Sequence, residues 1–203
     1  MGFFDLFREK DNKESLVNML GKIIFDYSET CATGFQTEIE DNIKEKPYSI
    51  VFLSVMMSSV FFYSIHTNRI IYKQLGQQGI ESMVNDLFLT VMDLFSDKYL
   101  HRCTEEQATN FKESMINGIN TAQGQYANCK ELYYVGDLGK CVATNTPRRG
   151  YINQFADVLC EVITGNSPCT NLLFISKVQS LVSNFILEEP KVFELVIKYG
   201  HLL

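Results

Sequence analysis

Between Lys46 and Arg69 the chain carries no Asp, Glu, Lys or Arg. A helix this apolar must be surrounded on most sides, either by other helices or by lipid. Its heart, Ile50 to Ile65, holds Val51, Phe52, Leu53, Val55, Met56, Met57, Val60, Phe61 and Phe62. A membrane span needs about 20 largely apolar residues, and Ser54, Ser58, Ser59 and Ser64 dilute this one. The neighbouring segments all show one polar face and so want water outside. The sequence therefore predicts a buried central helix over about 48–72, with 50–65 enclosed on nearly all sides; a membrane span is the alternative.

Periodicity elsewhere is helical. Leu16, Leu20, Ile23, Ile24, Tyr27 and Cys31 form a stripe that Phe35, Ile39 and Ile43 extend, with Gly34 as a bend or break. Asp11 and Glu14 have the spacing of a capping box, as do Thr104 and Gln107. Ile80, Met83, Leu87, Phe88, Val91 and Phe95 mark one amphipathic helix; Phe111, Met115, Ile119, Ala122 and Tyr126 mark the next. Gly118 and Gly124 on the latter read as sites of close helix packing. A further helix runs from Ile152 to the stop at Gly165-Asn166-Ser167-Pro168. Thr170 is placed to cap another, and Pro190 to open a last short one. The expected fold is all-α: a single bundle-like domain, 1–203, of seven or eight helices. It includes one long irregular segment or short hairpin near 131–150, where Gly136, Gly139, Pro147 and Gly150 interrupt the period.

A net charge of −6 and no dense basic stripe argue against nucleic acid as a partner. Six cysteines, at irregular spacing in a chain with 46% hydrophobic residues, are read as reduced thiols, because a core of this size needs no disulfide staples. No export signal is recognised at the start of the chain, so a cytoplasmic location is expected. Phe3, Phe4 and Phe7 are expected to fold over the protein's own core; peripheral contact with a membrane is the alternative. Leu6 stands where a myristoylation signal needs Ser or Thr.

The usual catalytic signatures fail. Gly136-Asp137-Leu138-Gly139-Lys140 ends like a phosphate-binding loop, but Tyr134 occupies the first glycine position and Cys141 that of the magnesium-binding hydroxyl. Gly165-Asn166-Ser167-Pro168-Cys169 lacks the second glycine of a nucleophile elbow. His101, Cys103, Cys129 and Cys141 match no familiar zinc spacing, so no metal and no cofactor are expected.

These absences favour a non-enzymatic helical protein that works through protein–protein contact or self-association, as an accessory, adaptor or inhibitory partner. Its recognition residues would be Tyr133, Tyr134, Lys140, Arg148 and Arg149 on the long irregular segment, since loops on a rigid scaffold concentrate binding residues and Tyr and Arg dominate hot spots. The alternative is an apolar ligand in an interhelical pocket walled by Phe52, Met56, Phe62 and Tyr63, with His66 as its polar handle. An enzyme with a cysteine-based or loop-based site is the third reading.

Overall fold

A computed structural model describes residues 13–42, 47–101, 103–127, 129 and 150–199. Six helices occur among them: α1 (Lys13–Gly34), α2 (Gln36–Asn42), α3 (Tyr48–Tyr99), α4 (Glu105–Ala127), α5 (Tyr151–Thr164) and α6 (Leu172–Tyr199). The architecture is all-α, and no strand occurs among the described residues. Phe3, Phe4 and Phe7, the capping pair at Asp11, and the 131–149 segment with Tyr133, Tyr134, Lys140, Arg148 and Arg149 lie outside the described residues.

The longest helix is two helices back to back. Gly76 interrupts α3 with φ 71° and ψ −161°, a region open essentially to glycine alone. In a straight helix Phe52 and Tyr99 would stand about 70 Å apart; their rings lie 6.2 Å apart. The chain therefore doubles back at Gly76 into an antiparallel hairpin, with a charge-poor ascending arm (48–75) and an amphipathic descending arm (77–99). These arms are the central helix and the Ile80 helix that the periodicity separates.

The other helices enclose the ascending arm. Helix α1 lies along both arms: Gly21 approaches so closely that an added Cβ would stand 2.7 Å from Thr90, and Phe25 meets Tyr99 at 6.4 Å. Tyr99 donates a 2.6 Å hydrogen bond to Glu29, which also pairs with Lys98. On the opposite side, α4 opens with Thr104 and Gln107 capping each other, at 3.0 and 3.2 Å, and stacks Phe111 on Phe95 at 4.8 Å. Helix α5 presses Phe155 onto Phe62, stacked at 4.3 Å, and ends at Gly165 in the left-handed conformation. Helix α6 brings Phe185 to 4.8 Å from Tyr63, and its Leu181 fills the space that a Cβ on Gly34 would need.

Enclosure on nearly all sides holds only for the middle of the arm. From Ser59 to Thr67 every residue except Phe61 is buried, whereas Leu53, Ser54, Met57 and Ser58 keep a half-buried face. Among the described residues one stretch, Tyr48–Glu81, is long and apolar enough to cross a membrane, and half of its most apolar window is buried inside the bundle. The serines live in this helix by returning their hydroxyls to carbonyls four residues back: Ser54 to Ile50, Ser58 to Ser54 and Ser59 to Val55, at 2.8–2.9 Å.

Three local expectations differ from the structure. The cap of α6 is Asn171, whose side-chain oxygen accepts from the Leu173 and Phe174 amides at 3.0 and 3.2 Å, rather than Thr170. Pro190 lies inside α6 rather than at the start of another helix; the turns on either side bury Val182, Phe185, Val192 and Val196, and that packing holds the helix together across the missing amide. Gly118 does sit at a close approach, 2.5 Å from the Phe61 ring for an added Cβ, but nothing lies within 4 Å of Gly124.

Two of the open glycines make opposite predictions. Gly76→Ala meets no atom within 4 Å, so its cost is purely conformational, about 1–3 kcal/mol. For a chain of this size that lowers Tm by about 2–10 °C. Gly124→Ala, on an exposed helical face, should raise stability by about 0.5–1 kcal/mol. Thermal unfolding of the two variants beside the parent checks both signs.

Candidate functional site

Toward the Gly76 turn the aromatic filling of the core runs out and a cleft of about 700 Å³ opens. The ascending arm supplies most of its wall, because His66, Arg69 and Lys73 recur at the spacing of one helical face. The descending arm adds Ile80 and Val84, α4 adds Gln123, and α6 adds Glu189. A second cleft of about 320 Å³ continues along the same helices toward Phe88, Leu89, Ile116 and Ile119. Asn68, Val84 and Gln123 line both, so the two clefts adjoin, as a trough in two parts between the α3 hairpin and α4. Asn68 and Val84 are equidistant from Gly76 along the chain, which is why they face each other at its waist.

His66 forms the floor at the polar end. It is 5% exposed, stacks near-parallel on Phe62 at 6.5 Å, and lies 5.4 Å from Phe185 and 6.0 Å from Tyr151. Its Nε2 stands 3.7 Å from a Glu189 carboxylate oxygen. That is an ion-pair contact and too long for a hydrogen bond, so neither ring nitrogen has a hydrogen-bond partner. The Asn68 carbonyl oxygen is likewise buried without one. His66 holds the Glu189 carboxyl below its ordinary range, burial opposes this, and Lys73 adds to the lowering.

Arg69 is committed to the fold. Its guanidinium donates to the Tyr126 and Cys129 carbonyls at 2.8 and 3.1 Å, tying the ascending arm to the end of α4, where the Tyr126 carbonyl also accepts the Cys129 amide. It also lies 4.2 Å over the Tyr151 ring. Its positive charge remains beside the cleft. Lys73 is exposed and makes no ion pair among the described residues.

Of the five residues expected to wall a pocket, only His66 lines the cleft. Met56, Phe62 and Tyr63 are fully buried in the core, where α5 and α6 fill the space around them. Phe52 lies near the start of the arm, stacked on Tyr48 at 5.9 Å. The residues missed are Asn68, Lys73, Gln123 and Glu189. The spacing of His66, Arg69 and Lys73 was a usable signal for one wall, but nothing local to Glu189 points to His66.

The thiols offer little chemistry. No disulfide joins two of the described cysteines, and burial pushes the Cys31 thiol up to about 12 despite a hydrogen bond involving Ser59. Cys129, beside the cleft, is also raised by burial, with Arg69 opposing. No cluster of three metal-ligating side chains occurs among the described residues, and Cys141 of the zinc set weighed above lies outside them. His101 instead places Nδ1 3.2 Å from the Lys98 carbonyl.

Because the folded-state Glu189 carboxyl is held down, its contribution to stability is present above the ordinary glutamate value near 4.5 and is lost as pH falls through the lower folded value. Glu189→Gln should therefore be less stable than the parent at pH 5, and the gap should close toward pH 3 in urea titrations. A gap that widens on acidification contradicts the pairing. Compared with protein-family models, curated proteins and solved structures, the chain matches none, so the function has to be argued from the trough itself.

Proposed function

We propose that the protein is a non-catalytic binder of a small organic molecule, held in the trough between the α3 hairpin and α4. The supporting observation is the polar floor: a histidine 5% exposed, with both nitrogens lacking hydrogen-bond partners, faces a cleft of about 700 Å³. Buried polar groups left unpaired cost about 1–3 kcal/mol each, and a few such groups converging in a largely apolar cavity of this size are the usual make-up of a ligand site. Binding is favoured over catalysis because the one thiol among the described lining residues, Cys129, is held in its protonated form and donates to the Gln125 carbonyl.

Contact with a protein partner is the second reading. It draws on Leu89 and Ile116, which are 52% and 45% exposed and flank the far end of the trough; a partner's apolar side chain would sit between them.

A plug at the waist separates the two. Gln123 is exposed and lines both clefts, so Gln123→Trp can block the trough without disturbing the core. The chain has no tryptophan, so the introduced indole also reports folding. Saturable binding of one molecule of anilinonaphthalene sulfonate, lost in Gln123→Trp at unchanged Tm, is the expected result. Dye binding that ignores the plug contradicts the ligand reading.

A further inference from the structure

Taking the trough as a ligand site, we infer that its ligand is a single-chain amphiphile with one negative charge, a carboxylate on an unbranched hydrocarbon tail. The two ends of the trough differ in kind. At the Gly76 end two cationic side chains, Arg69 and Lys73, stand against one carboxylate, Glu189. Arg69 spends its hydrogen bonds on the Tyr126 and Cys129 carbonyls, so it supplies field rather than contact. Lys73 has no ion pair among the described residues and is the group free to meet a head. In a chain of net charge −6 such a positive spot is a local departure, and it favours a monoanion over a cation or a polyanion.

Beyond the waist no charged residue is among those lining the second cleft; Leu87, Phe88, Leu89, Ile116 and Ile119 dominate it. The stretch from Lys73 to Ser64 along the ascending arm is about 14 Å, and along it the charged end gives way to the uncharged lining of the second cleft. An elongated tail running along the arm would carry its length away from the charge and over Leu87, Phe88, Ile116 and Ile119. The carboxylate would lie against Lys73, at the end of the cleft that His66 and Glu189 also line.

The test is calorimetric titration with three monomeric probes of equal tail: decanoate, decanol and decyltrimethylammonium. Decanoate should bind tightest and the cation weakest. Lys73→Gln should weaken decanoate about threefold to fivefold, as for an exposed ion pair, and Lys73→Glu more, with decanol unchanged in both. Gln123→Trp should abolish all binding. If the probes bind, are blocked by the plug, and ignore Lys73→Glu, the trough is a ligand site but the anionic preference is wrong. If none of the three binds, both readings fall. Sedimentation with phosphatidylglycerol vesicles distinguishes a free amphiphile from a lipid surface: vesicle binding without decanoate binding overturns the inference.

Discussion

Everything in this fold follows from the reversal of α3 at Gly76. A charge-free helix cannot be left bare, and the cheapest cover for it is the amphipathic helix that follows directly in sequence. A backbone conformation open essentially to glycine brings the two together, and the apolar face of the descending arm packs beside the apolar arm. Helix α1 lies across both arms, α4 closes the opposite side, and α5 and α6 cover what remains. The aromatic cluster around Phe62, with Phe155 at 4.3 Å and Tyr151 at 4.8 Å, is where these later helices meet the hairpin.

The same reversal produces the trough. Two helices joined by a single residue cannot stay in close contact along their whole length, and near the Gly76 turn the side chains thin to Ile80 and Val84 on one side and Asn68 and Lys73 on the other. The polar groups of the ascending arm divide accordingly. Deep in the bundle, Ser59 returns its hydroxyl to its own helix at 2.8 Å, and the Tyr151 hydroxyl donates to the Phe62 carbonyl at 3.3 Å. Toward the turn, His66 and Asn68 keep atoms without partners. Buried atoms without partners also occur on Tyr63, Ser96, Tyr126, Asn153 and Gln179, so what distinguishes this end of the bundle is the cleft that opens beside them.

The architecture was readable in the sequence where one physical rule acts alone. Helical period located the Ile80 and Phe111 stripes, and the Thr104–Gln107 reciprocity fixed the start of α4. Readings failed where two rules compete. Pro190 has the dihedral of a first-turn residue and marks a boundary by local logic, yet long-range burial on both sides carries α6 through it. Asn171 rather than Thr170 caps that helix because an N-cap depends on a register shift of one residue. Met56, Phe62 and Tyr63 have the composition of a lining and are buried in the core, where α1, α4, α5 and α6 bring rings against Phe62 and Tyr63. Which face stays open is settled by the whole bundle. The link from His66 to Glu189 spans two distant helices, and no local pattern contains it.

The reversal itself is the claim on which core, trough and site all rest, and a distance measures it. Ser49 and Asp97 are exposed residues near the free ends of the two arms, and spin labels carried there on noncanonical side chains leave the native cysteines untouched. Pulsed electron–electron resonance on the doubly labelled protein should give a single narrow distribution at about 10–25 Å, as expected for paired helices whose axes lie about 8–10 Å apart. A distribution near 70 Å, the length of an unbroken helix between these positions, would contradict the account at its root.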